Sequence, residues 1–296
     1  MRKLRIGYFA DGPWSHKAFN RLIKNDNIEI KFICVRFNSN DNTLREYSKN
    51  YNIKYFKCQN VNSDSFINQI LPLKCNLFVS MSYNQIFKKK ILSLPEFKTI
   101  NCHAGKLPFY RGRNILNWAL INDEKEFGIT VHYVDVGIDT GDIILQRSYP
   151  ITDDDSYSTL LNKSYIECAR ILCDSISLII SNNINIIKQQ SIDEVGSYMR
   201  KRVEGDEILS WNQSSRQIFN FVRALSHPGP IARTFLNNIE MKINKLKIST
   251  IKTEYVPIPG FILDINSGIY VQTNDGVVII QEYNYIGKID KGSNFH

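Results

Sequence analysis

Along the first half of the chain, short apolar runs alternate with amphipathic stretches. Residues 4–9 form an apolar run that stops at Ala10-Asp11-Gly12-Pro13, a turn signal. A helical pattern follows, with Phe19, Leu22 and Ile23 on one face. The pattern then predicts a strand over 28–35, a helix over 44–51, a strand over 53–56, a helix over 65–70 and a buried strand over 76–80. Such alternation implies a Rossmann-like α/β arrangement, a mostly parallel sheet with helices on both faces. A strand-like run at 97–100, a helix over 114–122 and strands over 126–135 and 143–149 continue the series. Thr152-Asp-Asp-Asp155 offers a helix N-cap. Tyr157, Leu160, Leu161, Tyr165, Cys168, Leu172, Ile176 and Ile179 then recur at helical spacing and read as a packing stripe.

After that helix the pattern changes. Residues 182–207 are polar with little periodicity, which suits a linker. A helix over 214–225 precedes short β-rich runs at 241–247, 261–265, 269–271 and 277–282, with turns at Pro259-Gly260 and Asn274-Asp-Gly276. Short strands with tight turns predict a small barrel. The expected division is therefore a first domain over 1–182, a linker over 183–207, and a helix plus small β domain over 208–296.

With 296 residues, 43% of them hydrophobic, the chain is long enough for two domains with ordinary cores. No apolar run reaches the ~18 residues that a membrane helix needs, and the N-terminus reads as a buried strand rather than a signal peptide. Six cysteines without a Cys-x-x-Cys pair read as reduced thiols of a cytoplasmic protein. A net charge of +8 suits an anionic partner, such as a pyrophosphate or RNA, or else a Lys-rich solvated surface. The run Lys88-Lys89-Lys90 reads as a solvated helix face. The first turn has no Gly-x-Gly-x-x-Gly, so a nicotinamide dinucleotide is not indicated. His16, just past that turn, is either a helix-start residue or a substrate contact.

The chemistry-bearing stretch is Asn101-Cys-His-Ala-Gly-Lys-Leu-Pro-Phe-Tyr-Arg-Gly-Arg113, followed later by Val131-His-Tyr-Val-Asp-Val-Gly-Ile-Asp-Thr-Gly-Asp142. Asn101 and His103, two residues apart at a strand end, point to one side; Cys102 between them points away. A strand's C-terminal edge is where open α/β sheets bind ligands. The amide can donate to a developing oxyanion, the imidazole can move a proton near neutral pH, and Asp139 can orient the imidazole. An isolated Asn-x-His would pass as ordinary strand-end polarity. The full wording, Asn-x-His-x-x-x-Leu-Pro-x-x-Arg-Gly with Gly-Ile-Asp-Thr-Gly-Asp-Ile-Ile, resembles the signature of the 10-formyltetrahydrofolate-dependent formyltransferases.

That resemblance implies a catalytic trio of Asn101, His103 and Asp139. It also implies a pterin-holding loop at Met81, Ser82, Tyr83 and Ile86, acting largely through backbone groups, with Asp135 and Gly137 completing the cofactor-binding set. The co-substrate implied is 10-formyltetrahydrofolate, the C-terminal domain implied is OB-like, and no metal is needed. Lys106, Tyr110, Arg111 and Arg113 are the candidates for substrate binding. Lys106, where many relatives carry an aliphatic residue, is a phosphate contact or a solvated side chain. Arg111 and Arg113 could grip a pyrophosphate as forks, or one of them could anchor the loop.

For the acceptor, the wording around 103–118 is most similar to that of enzymes that formylate an amino sugar on a nucleotide. The tRNA-specific members carry a long basic loop after the second strand. Residues 37–44 have neither its length nor its Lys/Arg density. The expectation is thus a nucleotide-linked (UDP- or dTDP-) amino-sugar substrate for surface glycan synthesis, with neither membrane nor nucleic acid as partner and with room for a homodimer. Methionyl-tRNA formyl transfer is the alternative.

Overall fold

Residues 3–251 and 256–296 are described by a computed structural model. Strands and helices alternate at first: β1 (Leu4–Ala10), α1 (Gly12–Leu22), β2 (Ile28–Val35), α2 (Thr43–Asn50), β3 (Lys54–Lys57), α3 (Asp64–Ile70), β4 (Leu77–Met81), α4 (Lys89–Leu92) and β5 (Thr99–His103). Then come a two-residue strand β6 (Arg111–Gly112), α5 (Ile115–Ile121), β7 (Glu126–Tyr133), β8 (Ile143–Pro150), the long α6 (Tyr157–Ile180) and another two-residue strand β9 (Tyr198–Met199). The C-terminal part holds α7 (Ser215–Leu225), β10 (Ala232–Leu236), β11 (Ile239–Ile248), β12 (Ile262–Ile265), β13 (Ile269–Gln272) and β14 (Val277–Asn284).

Two compact units result. The first takes residues 1–112, 128–149 and 162–199; the second takes 113–127, 150–161 and 200–296. The first is built on a seven-stranded sheet of order β3-β2-β1-β4-β5-β7-β8. Pairing is parallel from β3 through β5 and antiparallel between β5 and β7. Tyr8 and Phe9 are consecutive in β1 and so point to opposite faces. Tyr8 packs on Phe19 of α1 and Phe9 on Phe66 of α3, which places helices on both faces as the alternation predicts.

Phe9 is the centre of the aromatic core. Its ring makes edge contacts with Phe32, Phe78, Tyr83 and Phe87 at centroid distances of 5.3, 5.3, 5.6 and 4.9 Å. Phe9→Ala should destabilise this unit by about 3–5 kcal/mol, read as a lower urea midpoint. Because Tyr83 and Phe87 belong to the loop after β4, the same cluster seats that loop.

In the second unit a five-stranded antiparallel sheet has the order β10-β11-β14-β13-β12. Its two edges meet through the C-terminus. Phe235 and His296 exchange backbone hydrogen bonds on the β10 side, while Phe295 N–H donates to Gly260 and Ile262 N–H to Ser293 on the β12 side. The sheet thereby closes into the small OB-like domain. Helix α7 starts with a capping box between Ser214 and Gln217 and lays Ile218, Val222 and Leu225 into the barrel core.

Two local readings are corrected. Helix α6 begins at Tyr157, not at the Thr152 cap, because Asp155 turns back to accept from the Thr152 N–H and hydroxyl and closes a separate turn. Strand β10 has no counterpart in the pattern-based reading. Flanked by Pro228-Gly-Pro230 and interrupted by Arg233, it is assembled by pairing with β11.

Candidate active site

Strand β5 sets the site. Asn101 and His103 share one face of it, and Cys102 takes the other, its thiol turned toward the carbonyl of Cys168 in α6 at 3.6 Å. The neighbouring antiparallel strand places His132 directly opposite Asn101. His132 Nδ1 is 2.7 Å from the Tyr133 carbonyl and must donate to it, so the neutral ring presents Nε2 as an acceptor. Asn101 Nδ2 lies 3.2 Å from that nitrogen. The contact fixes which way the carboxamide faces: one N–H goes to His132 and the other points onward.

His103 is held in the same manner. Its Nε2 is 2.7 Å from the Tyr110 carbonyl and donates to it, which turns Nδ1 toward Asp139 Oδ2 at 3.6 Å. Asp139 reaches this point from the loop after β7, in the left-handed region at φ +55°. Its Oδ2 accepts from the Gly112 N–H at 2.9 Å, and its Oδ1 faces His132 Nε2 at 3.5 Å. The last distance is longer than a hydrogen bond, and the Asn101 contact is the one a neutral His132 satisfies. Burial by itself would raise the Asp139 carboxyl. The charge that the facing His103 and His132 rings carry once protonated, together with the Gly112 N–H, outweighs it and holds the group well below the usual carboxylate range.

A depressed carboxyl links stability to pH. The Asp139 contribution is complete above the unfolded carboxyl value of about 4 and is lost as pH falls below it toward the folded value. Between about pH 5 and pH 3 the wild type should therefore lose stability more steeply than Asp139→Asn, as urea midpoints at each pH would register.

Glycines shape the Asp139 loop. A Cβ on Gly141 would lie 1.9 Å from the Tyr133 carbonyl, and one on Gly137 would lie 2.1 Å from Thr140 Oγ1. Asp135 organises the same loop, accepting from the Gly137 N–H and the Thr140 hydroxyl at 3.0 and 2.6 Å.

The remaining sequence-derived candidates fall into three groups. In the loop after β4, Met81 is buried and its carbonyl accepts from the Asp11 N–H. Ser82 has φ +56° and is gripped by Arg36, whose Nε donates to its carbonyl and Nη2 to its hydroxyl, both at 2.9 Å. The half-buried Tyr83 turns its ring onto the Phe9 cluster, and Ile86 is exposed. Val134, where the Asp139 loop leaves β7, packs on that same cluster, so both loops rise from one core.

The second group follows β5. Lys106 packs its stem against Gly128, and Tyr110, at φ +57°, supplies the carbonyl for His103. Arg111 is buried, and its guanidinium donates to Gln189, Val195 and Tyr198, as the loop-anchor alternative has it. It anchors the loop. Arg113 is exposed and begins the second unit. The third group is His16, paired with the Asp41 carboxylate, which ties α1 to the connection before α2.

Sequence reasoning missed His132, Arg36 and Gln189. A histidine within the apolar run of β7 was a visible signal. Gln189, in a polar stretch without periodicity, gave none.

A mostly parallel sheet that gathers an amide, two imidazoles and a carboxylate at the end of β5 is equipped for acid–base group transfer. The profile of the formyl transferase domain matches residues 9–176, and that of the formyl transferase C-terminal domain matches 203–293. The chain belongs to the formyl transferase family, and it is an N-formyltransferase. The methionyl-tRNA formyltransferase of Clostridium tetani is 32% identical over 250 residues, covering 83% of this chain and 78% of that protein. Among solved structures, WlaRD, a sugar 3N-formyl transferase crystallised with dTDP and 5-N-formyl-THF, superposes with a TM-score of 0.72 at 23% identity, covering 98% of this chain and 100% of that one. The N-formyltransferase of Helicobacter canadensis in complex with folinic acid and dTDP-3-aminofucose gives 0.71 at 24% identity, covering 95% and 99%. At these identities the superpositions speak for the fold.

Proposed function

We propose that the enzyme moves the formyl group of 10-formyltetrahydrofolate onto the primary amine of a nucleotide-linked amino sugar. The observation that carries the choice of acceptor is the connection between β2 and α2. Residues 36–42 hold one arginine and one aspartate. Ser39 donates to Asp11, Asp41 pairs with His16, and Lys57 donates to the Ser39 carbonyl, so the segment is fastened to the sheet edge. It offers no long cationic arm for an acceptor stem, and phosphate contacts dominate RNA affinity. The second unit points the same way: it carries 14 Lys and Arg against 15 Asp and Glu.

In this reading the amine attacks the formyl carbon and negative charge develops on its oxygen. The outward N–H of Asn101 donates to that oxygen. His103 accepts the amine's proton at Nδ1. The resulting imidazolium has an acceptor for each N–H, the Tyr110 carbonyl and the Asp139 carboxylate. As the tetrahedral intermediate collapses, the bond from the formyl carbon to N10 breaks and N10 takes the proton back from His103 Nδ1, so that tetrahydrofolate leaves. Exposed Ile86 and the exposed Val136 and Ile138 of the Asp139 loop give a flat pterin apolar surface on the two loops that rise from the Phe9 core.

Sequence relatives named as methionyl-tRNA formyltransferases sustain the tRNA reading as the alternative. Formyl transfer from 10-formyltetrahydrofolate, measured on a panel of UDP- and dTDP-amino sugars and on charged initiator tRNA, separates the two. Turnover on an amino sugar supports the proposal, and turnover on tRNA alone overturns it.

A further inference from the structure

Asp139 occupies a strained position. A non-glycine residue in left-handed backbone sits about 1 kcal/mol above its relaxed state, so contacts outside the loop must hold it there. One buried side chain holds the loop's backbone at two carbonyls. Gln189, buried in the stretch between the two profile matches, sends Nε2 to the Asp139 carbonyl at 2.8 Å and to the Gly141 carbonyl at 2.7 Å. Its Oε1 accepts from Arg111 Nε at 3.0 Å and Nη2 at 2.7 Å. Both amide protons and the oxygen are thus engaged.

Arg111 connects this grip to the reacting groups. Its neighbours are Tyr110, whose carbonyl fixes His103, and Gly112, whose N–H binds the Asp139 carboxylate. The segment is secured on its other side by pairing of β6 with β9 and by Ser197, whose Oγ accepts from the Tyr110 N–H. The contacts form a ring: Asp139 backbone, Gln189, Arg111, Gly112, Asp139 carboxylate. We propose that Gln189 is a positioning residue for formyl transfer, locking the Asp139 loop onto the Arg111 loop so that carboxylate and imidazole keep their separation. The proposal rests on Asp139 acting in the transfer.

The chemistry of the position is narrow. Glutamate would keep the acceptor for Arg111 but lose both donors and face two carbonyls. Methionine fills the same length and makes neither contact. Asparagine is one methylene too short to reach both loops.

The test measures Gln189→Met, Gln189→Glu and Asp139→Asn beside the wild type on whichever amine acceptor that enzyme formylates. A misplacement of about 1 Å at reacting groups can cost about 100-fold. The expected result for Gln189→Met is a ~10- to 100-fold fall in kcat with KM for both substrates within ~2-fold. Gln189→Glu, which retains the Arg111 contact, should regain thermal stability without regaining kcat. Either glutamine variant within ~3-fold of wild type, while Asp139→Asn has lost ~100-fold or more, overturns the clamp. So does a loss confined to KM, or one that Gln189→Glu restores together with stability. Asp139→Asn at near-normal rate would instead bring down the reading of the site, and the clamp with it.

Discussion

His103→Asn should lower kcat by about 100- to 10,000-fold, the range for removing a positioned general base, while KM for amine and formyl donor changes little. The reason is geometric. His103 Nε2 is committed to the Tyr110 carbonyl, so the ring has one nitrogen, Nδ1, with which to take a proton, and Asp139 Oδ2 faces it at 3.6 Å. Asparagine can imitate the donor to Tyr110 but offers no basic nitrogen. Ground-state contacts are retained and transition-state proton transfer is lost, a pattern that falls on kcat. Steady-state rates with each substrate varied in turn would check it. A variant within ~3-fold of wild type would remove His103 from the chemistry.

Asn101→Ala should lower kcat by about 100- to 1,000-fold, or about 3–4 kcal/mol, the usual loss when one oxyanion donor is removed. His132 is what makes the donor directional. Because its Nε2 accepts one N–H, the carboxamide cannot flip without placing its oxygen against a lone pair. Asn101→Asp provides the sharper control: the same shape, with an acceptor where the donor should be. It should be no better than alanine, since a carboxylate repels the developing charge. Recovery of rate by Asp over Ala would contradict the donor role. The losses from Asn101 and His103 should not add, because groups acting on one transition state behave as a unit.

Much of this arrangement was legible in the residues. Alternating apolar runs declared the α/β sheet, since a strand's period of two and a helix's of 3.6 are local properties. The spacing of Asn101 and His103 put both on one side of β5 and sent Cys102 to the other. The spacing of the β-rich runs after residue 240 declared a small barrel. Arg111 shows the limit: an arginine beside a phosphate-like loop reads equally as ligand or anchor, and only its burial against Gln189 decides.

What the sequence determined by itself, then, was most of the sequence of elements, the family wording and the three polar groups proposed for catalysis, all carried by short-range spacing. Tertiary structure alone decided which atoms those groups present to one another. The Tyr110 carbonyl selects the nitrogen of His103, His132 selects the face of Asn101, and Gln189, 50 residues beyond Asp139, holds the Asp139 backbone. Hydrogen bonds between distant segments have no period along the chain. They exist only once sheet pairing and packing have brought those segments within about 3 Å.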